Sequence, residues 1–313
     1  MIFDINKSIA DTGIVNSQKI VILEGLQLAD LWLDIRKFID QRSICILRMH
    51  NLESDYHKSV AVESRGIRKV GHKISSLQYK LAENRLLKDF DFIYSVSQSE
   101  MDAVKIKYPE ISDRLRWVPP IPDGRLLAQI KNNDDNLFVI CYFGDLTLPN
   151  NNGGLHWFCS NVLPLLDRDR FLLRVAGKGS EKFNHYDNVE ALGFVNSIED
   201  FVSNSHLIVA PIFSGAGVKI KVLDAMATGK PLLTSPKGCE GLSPDVIERM
   251  NVADHYQEWI STINHISNSY SQVCNASLLL REVLMTNHSS QNFIDRLSKD
   301  VDTYNKSIST MIE

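Results

Sequence analysis

Short apolar, β-branched runs alternate with stretches of helical periodicity along most of the chain. KIVIL (19–23), SICIL (43–47) and DFIYSVS (91–97) predict strands in the first part. LFVICYFG (137–144), FLLRVAG (171–177), NVEALG (188–193), HLIVAP (206–211) and KPLLTS (230–235) predict strands in the second. Segments 153–166 and 217–228 carry apolar residues at helical spacing. Strands and helices in alternation predict an α/β protein with parallel sheets and crossover helices.

The pattern breaks at WVPPIPDGRLLAQIKNNDDN (117–136), where prolines, a glycine and a polar tip mark a boundary. The division is into an N-terminal lobe over 1–122, a C-terminal lobe over 123–290 and a terminal helix over 291–313. Only a short stretch precedes the first predicted strand, so the first lobe reads as abbreviated. In GGLHWF, Trp157 and Phe158 share helical spacing with Val162 and Leu165, which predicts core packing. Residues 65–88 predict a helix with Ile67, Val70, Ile74, Leu77 and Leu81 on one face. That segment holds seven Lys or Arg against one acid, Glu83. It is either an ordinary helix with a solvated basic face or a surface for anionic lipid.

The chain has 313 residues, 44% of them hydrophobic and 23% charged, enough to bury a core without metals or disulfides. A formal net charge of −4 gives no reason to expect nucleic acid as a partner. Five scattered cysteines without a CxxC pair point to reduced thiols and against a zinc site. The first residues lack the basic start and long apolar core of a secretory signal, and no run reaches a membrane span. The expected location is cytoplasmic, with attachment to the inner membrane face as an option through 65–88.

The densest chemistry lies in APIFSGAGVKIKVLDAMATGKPLLTS (210–235). Gly215 and Gly217 allow positive φ and a close approach to the backbone. The amides of Ala216, Gly217 and Val218, at a predicted helix start, would attract a phosphate, with Lys219 one turn in. A turn that merely needs small residues is the plainer reading. Asp224 among Leu223, Ala225 and Met226 either accepts hydrogen bonds from a ligand or pairs with Lys219 or Lys221. Gly229 and Pro231 would end the helix. A Walker loop fails, because Asp224 and Pro231 stand where Gly and Ser or Thr are needed. The dinucleotide fingerprint fails at Ile220, where its third glycine belongs.

With CYFGDLTLPNNNGGLHWFCSNVLPLL (141–166), LLRVAGKGS (172–180) and NVEALGFVNSIEDFVSNSHLIVAP (188–211) in order before it, this segment resembles the retaining GT-B glycosyltransferases of the GT4-like group. Weaker likeness extends upstream through CILRMHNLESDY (45–56), FDFIYSVSQSEMDAV (90–104) and RLRWVPP (114–120). The resemblance implies a GT-B fold, two Rossmann-like α/β lobes facing across a cleft. It implies transfer of a sugar from a UDP- or GDP-linked donor to a glycan or lipid-linked acceptor, with retention and without metal or cofactor. It places Ser214, Gly215, Ala216, Gly217 and Val218 on the donor phosphates and Lys219 on the diphosphate or sugar. Asp224 would hold the ribose, Gly144 and Lys178 would lie near the phosphates, and Phe194 and Val195 would face the base. His50 would line the acceptor side, although a histidine at a strand end is equally a structural residue. Lys219 and His50 would be the catalytic pair.

Departures from the family pattern are definite. Ala216 replaces a usual glutamate, and Asp224 replaces the second. Many members carry an arginine and a lysine after the first C-lobe strand. Here Asp145 follows that strand, and no Lys or Arg occurs until Arg168. A catalytically degenerate GT-B subunit that binds a nucleotide-sugar or a partner and supports a complete glycosyltransferase is the rival reading, and a protein partner completing the first lobe is a separate option. A nucleotide-sugar epimerase would need further acids and histidines around the sugar. Glu53, Asp55 and His57 match no standard metal spacing and are expected to line a cleft or cap a helix.

Overall fold

The computed structural model describes residues 19–123, 137–215 and 217–312. Its contacts divide the chain into two compact units. One takes the chain up to Ser95, Ala103–Arg116 and everything from Leu297 onward; the other takes Val96–Asp102 and Trp117–Arg296.

The first unit is built on four strands in the order β1 (Ile20–Glu24), β2 (Ile44–Met49), β3 (Phe92–Ser95) and β4 (Leu115–Trp117). β1 and β3 both pair with β2 in parallel, Ile20 opposite Ile44 and Ile46 opposite Phe92. β2 is central, and its Ile44, Ile46, Leu47 and Met49 are all buried. β4 escapes sequence reading because three residues are too short to show alternation.

Helices α1 (Ala29–Ile35), α2 (Glu53–Glu63) and α3 (Gly66–Leu86) follow β1 and β2, and α4 (Gln98–Lys107) follows β3. Glu53 and Asp55 stand in the first turn of α2, where the helix dipole favours acids. The predicted helix over 65–88 is present, but its apolar positions are not packed. Ile67 is 92% exposed and Leu81 63% exposed, with Val70, Ile74 and Leu77 also open. The buried side chains of α3 are Glu83 and Leu86. Glu83 is tolerated inside because it accepts from Ser54 N (3.0 Å), Ser54 Oγ (2.6 Å) and Tyr108 Oη (3.0 Å).

The second unit holds six parallel strands in the order β10-β9-β8-β5-β6-β7. They are β5 (Phe138–Phe143), β6 (Phe171–Ala176), β7 (Val189–Gly193), β8 (Leu207–Ala210), β9 (Leu232–Thr234) and β10 (Asn251–Val252). The crossovers include α5 (Pro149–Asn161), α6 (Ile198–Ser203), α7 (Ile220–Ala227) and α8 (Pro244–Ile247). Then come α9 (Tyr256–Asn268), α10 (Tyr270–Asn287) and α11 (Ser290–Ile312).

Continuous apolar runs make these strands because both sheet faces are covered. On β5, Phe138, Ile140 and Tyr142 pack in one core with Phe158 of α5 and Trp259 of α9. Cys141 points the other way, into a second core with Val222, Leu223 and Met226 of α7. Phe158 and Val162 are buried and Trp157 packs against the first core. Leu165 is the exception at 59% exposed, because α5 stops at Asn161 and Leu165 lies in a separate turn that leaves the helical face.

The chain changes direction of build-up between β5 and β8: β6 and β7 are added on one side, β9 and β10 on the other. Such a switch point leaves a crevice at the carboxyl ends of the two strands, where open α/β sheets hold ligands. The second part of α11 belongs to the first unit. There Asp300 accepts from Tyr94 Oη (2.9 Å) and pairs with Arg116 Nε (2.9 Å).

Candidate functional site

A cavity of about 370 Å³ lies at this switch point. It is lined by Asn150 and Asn151 from the start of α5, by Ser214 and Gly215 after β8, and by Lys219 and Lys221 at the start of α7. Two helix N-termini therefore open onto one space, each offering unpaired amides and a partial positive charge.

The turns that shape it need glycine. Gly215 and Gly217 take φ of 97° and 72°, as the sequence predicts. At Gly177 an added Cβ would come 2.1 Å from the Gly144 carbonyl oxygen, so the ends of β5 and β6 close on each other only with glycine there. The helix does not begin where its periodicity suggests. Lys219 is the N-cap, with φ −88° and ψ 93°, and α7 starts at Ile220. The helix starts three residues after the predicted 217, so the helix-end amides are those of Ile220 and Lys221 and not the expected Ala216–Val218 set.

Lys219 turns back on its own loop. Its Nζ donates to the carbonyls of Gly215 (3.1 Å) and Gly217 (2.6 Å) and meets Glu240 Oε2 at 3.3 Å. Burial lowers its pKa, and Glu240 works in the opposite direction. Glu240 is in turn bound by Lys237 at 2.5 Å.

Lys221 behaves differently. Its Nζ is buried, has no hydrogen-bond partner among the described residues, and lies 3.7 Å from the centre of the Tyr142 ring. Burial pushes its pKa down from 10.5 to about 7. The sequence leaves open a solvated Lys221 or one paired with Asp224, and the structure buries it. The available signal was its place in IKVLDAMA, a helix with one base and one acid among apolar residues.

The other expected residues are spread more widely. Gly144, φ 148°, stands at the end of β5 beside Lys221. Ser214 borders the cavity, Val218 packs against the second core, and Ala216 lies outside the described residues. Asp224 does not line the cavity; its Oδ1 accepts from the Asp123 amide at 2.9 Å. Lys178 is exposed after β6, and its carbonyl accepts from Leu146 N (2.8 Å). Phe194 is 89% exposed on the turn after β7, while Val195 packs inward. Gly229, φ 74°, ends α7, with Pro231 following.

His50 belongs to the first unit, just after β2, with Nε2 3.3 Å from Glu24 Oε2. Glu24 also meets Arg48 at 3.4 Å, so an acid and two basic groups gather at the carboxyl ends of β1 and β2. Sequence reading found His50 and missed Glu24 and Arg48, since only strand register brings them together. No cluster of metal-ligating side chains occurs among the described residues, and all five cysteines are free. Among those residues no helix is long and apolar enough to cross a membrane.

Comparison with known proteins gives this geometry a context. HepE from Anabaena, solved with UDP and with UDP-glucose, superposes on the chain. In the UDP complex the TM-score is 0.63 and the identity 14%, over 94% of this chain and 78% of HepE. WaaG, a glycosyltransferase involved in lipopolysaccharide biosynthesis, gives 0.63 and 13%, over 87% and 80%. A 44.6 kDa uncharacterised protein of the cps region of Klebsiella pneumoniae is 23% identical over 272 residues, 82% of this chain and 68% of its own length. Residues 138–268, which carry the cavity and the whole six-stranded sheet, match the family Glycosyl transferases group 1, on a mixed α/β fold shared with GT-B glycosyltransferases.

Proposed function

We propose that the chain moves a sugar from a nucleoside-diphosphate donor to a glycan or lipid-linked acceptor, with retention, in the assembly of a surface polysaccharide. The observation that carries this is the cavity at the β5/β8 switch point, where two helix N-termini, Ser214, Gly215 and two lysines converge. Those features fit a diphosphate, whose departure they would assist by holding developing negative charge in a preformed site. The UDP complexes of HepE, the lipopolysaccharide role of WaaG and the cps location of the Klebsiella relative support the same reading.

In this reading Asp224, one turn along α7 from the cavity lining, holds the ribose through the oxygen not bound by the Asp123 amide, the turn at Phe194 and Val195 faces the base, and His50 stands on the acceptor side. Calorimetric titration with UDP, GDP and ADP tests it. One nucleotide is expected to bind selectively, and Asp224→Ala to weaken it by roughly 10-fold or more, the loss of a charge-assisted hydrogen bond. Folded protein that binds none of them would overturn the proposal.

The exposed apolar stripe of α3, on a segment with seven basic residues, is assigned to an anionic lipid surface on charge complementarity. The protein should float with vesicles containing anionic lipid and not with purely zwitterionic ones. Leu77→Asp should abolish flotation; unchanged flotation by that variant would remove α3 from the contact.

A further inference from the structure

We infer that Lys221 is the cation that receives the donor's diphosphate, and that it takes up a proton as the diphosphate binds. The inference rests on the donor-binding reading above and assigns a role that the family pattern gives to basic residues absent from 144–152.

Placement is the first ground. Lys221 reaches from the first turn of α7 across Tyr142 to the carboxyl end of β5. A Cβ at Gly144 would come 2.7 Å from its Nζ and 2.9 Å from its Cε, so glycine there leaves the room that the ammonium group fills. The side chain also lines the cavity on which the starts of α5 and α7 converge.

Lack of a partner is the second. An amine buried without a hydrogen bond among the described residues is costly, and one whose side chain lines a cavity while its Nζ stays covered has three donors for an anion that enters there and draws it out. Its rivals are placed otherwise. Lys219 is bound to two carbonyls and Glu240, and Lys178 is exposed after β6.

The acids near Lys221 are bound to other groups. From β5 comes Tyr142, whose phenol burial keeps neutral, and from α5 come Asn150 and Asn151. Asp145, on the turn after β5, accepts from the Thr147 amide at 2.9 Å and from its hydroxyl at 2.5 Å. Asp224, on the next turn of α7, accepts from the Asp123 amide. Lys219, on the loop, is paired with Glu240. Burial holds Lys221 near neutrality at physiological pH, and a diphosphate beside it restores the ordinary charged state. The proton comes from solvent, and no covalent bond changes.

Calorimetry on the full chain at about pH 8, in buffers of different ionisation enthalpy, tests both parts. UDP is compared with UMP, GDP with GMP and ADP with AMP. At that pH the nucleotide phosphates, with a second pKa of about 6, are already ionised and contribute little. The diphosphate that binds is expected to take up close to one proton and its monophosphate markedly less. Lys221→Met should remove that uptake and weaken the diphosphate by roughly 10–100-fold, leaving the monophosphate much less affected. The proton count on the unaltered protein decides the matter even if the variant fails to fold. No uptake, or a folded Lys221→Met protein with unchanged diphosphate affinity, would overturn the inference while leaving the donor-binding reading intact wherever Asp224→Ala still weakens binding. Absence of binding by every nucleoside diphosphate would overturn both.

Discussion

Helices α3 and α7 carry apolar residues at the same helical spacing, and the fold treats them in opposite ways. On α7, Val222, Leu223 and Met226 lie within the second core, sealed by β5, β8 and α10. On α3 the matching stripe from Ile67 to Leu81 stands open, while the acid Glu83 is buried under hydrogen bonds. Periodicity predicts that a helix forms; it does not say that anything covers it. Polar residues show the same reversal. Lys221 looked like a solvated surface residue and is buried, because α7 is short and its first turn lies against β5.

The largest effect expected to sharpen this contrast comes from the core of α7. Leu223→Ala should cost roughly 2–5 kcal/mol in equilibrium denaturation, by lost burial and the cavity left behind. An effect near zero would mean that α7 is not sealed as described.

Next comes the ionisable group beside it. Burial lowers the folded-state pKa of Lys221 to about 7, below the 10.5 of the unfolded chain. Between those values the unfolded state binds the extra proton, so stability rises with pH across that window and the burial penalty is full below about 7. Lys221→Met is therefore expected to be more stable than the parent near neutral pH, by on the order of 2 kcal/mol or more, with the difference shrinking toward pH 10.5. A pH-independent difference would count against a buried, unpaired amine.

A smaller loss is expected at the end of α7. Gly229 has φ 74°, and a Cβ there would come 2.9 Å from Leu278 Cδ2. Gly229→Ala should cost roughly 1–2 kcal/mol through left-handed strain and that contact. The smallest change belongs to α3, where Leu77→Ala should shift stability by no more than about 0.5 kcal/mol. A loss comparable to that of Leu223→Ala would erase the difference between the two helices.

Much of the second unit was legible because its strands are unbroken apolar runs and its turns are marked by glycine. β5, β6, β7, β8 and β9 all fall within the predicted segments, and Gly215, Gly217 and Gly229 take the positive φ their positions implied. Short elements such as β4 and β10 carry too few residues to show a period. The start of α7 was misplaced because Gly215, Gly217 and Lys219 form a loop tied by the lysine's own hydrogen bonds, which no spacing rule encodes.

By itself, then, the sequence determined the α/β alternation, the glycine turn after β8 and the residue types able to meet a phosphate. These follow from local rules of backbone freedom and burial that act over a few neighbouring positions. Tertiary structure alone decided which lysine lines the cavity without a hydrogen-bond partner among the described residues, which acid braces the loop and which apolar face stays uncovered. Those outcomes depend on strand order and helix placement, which set Gly144 beside Lys221 and Glu240 beside Lys219 across long separations in the chain.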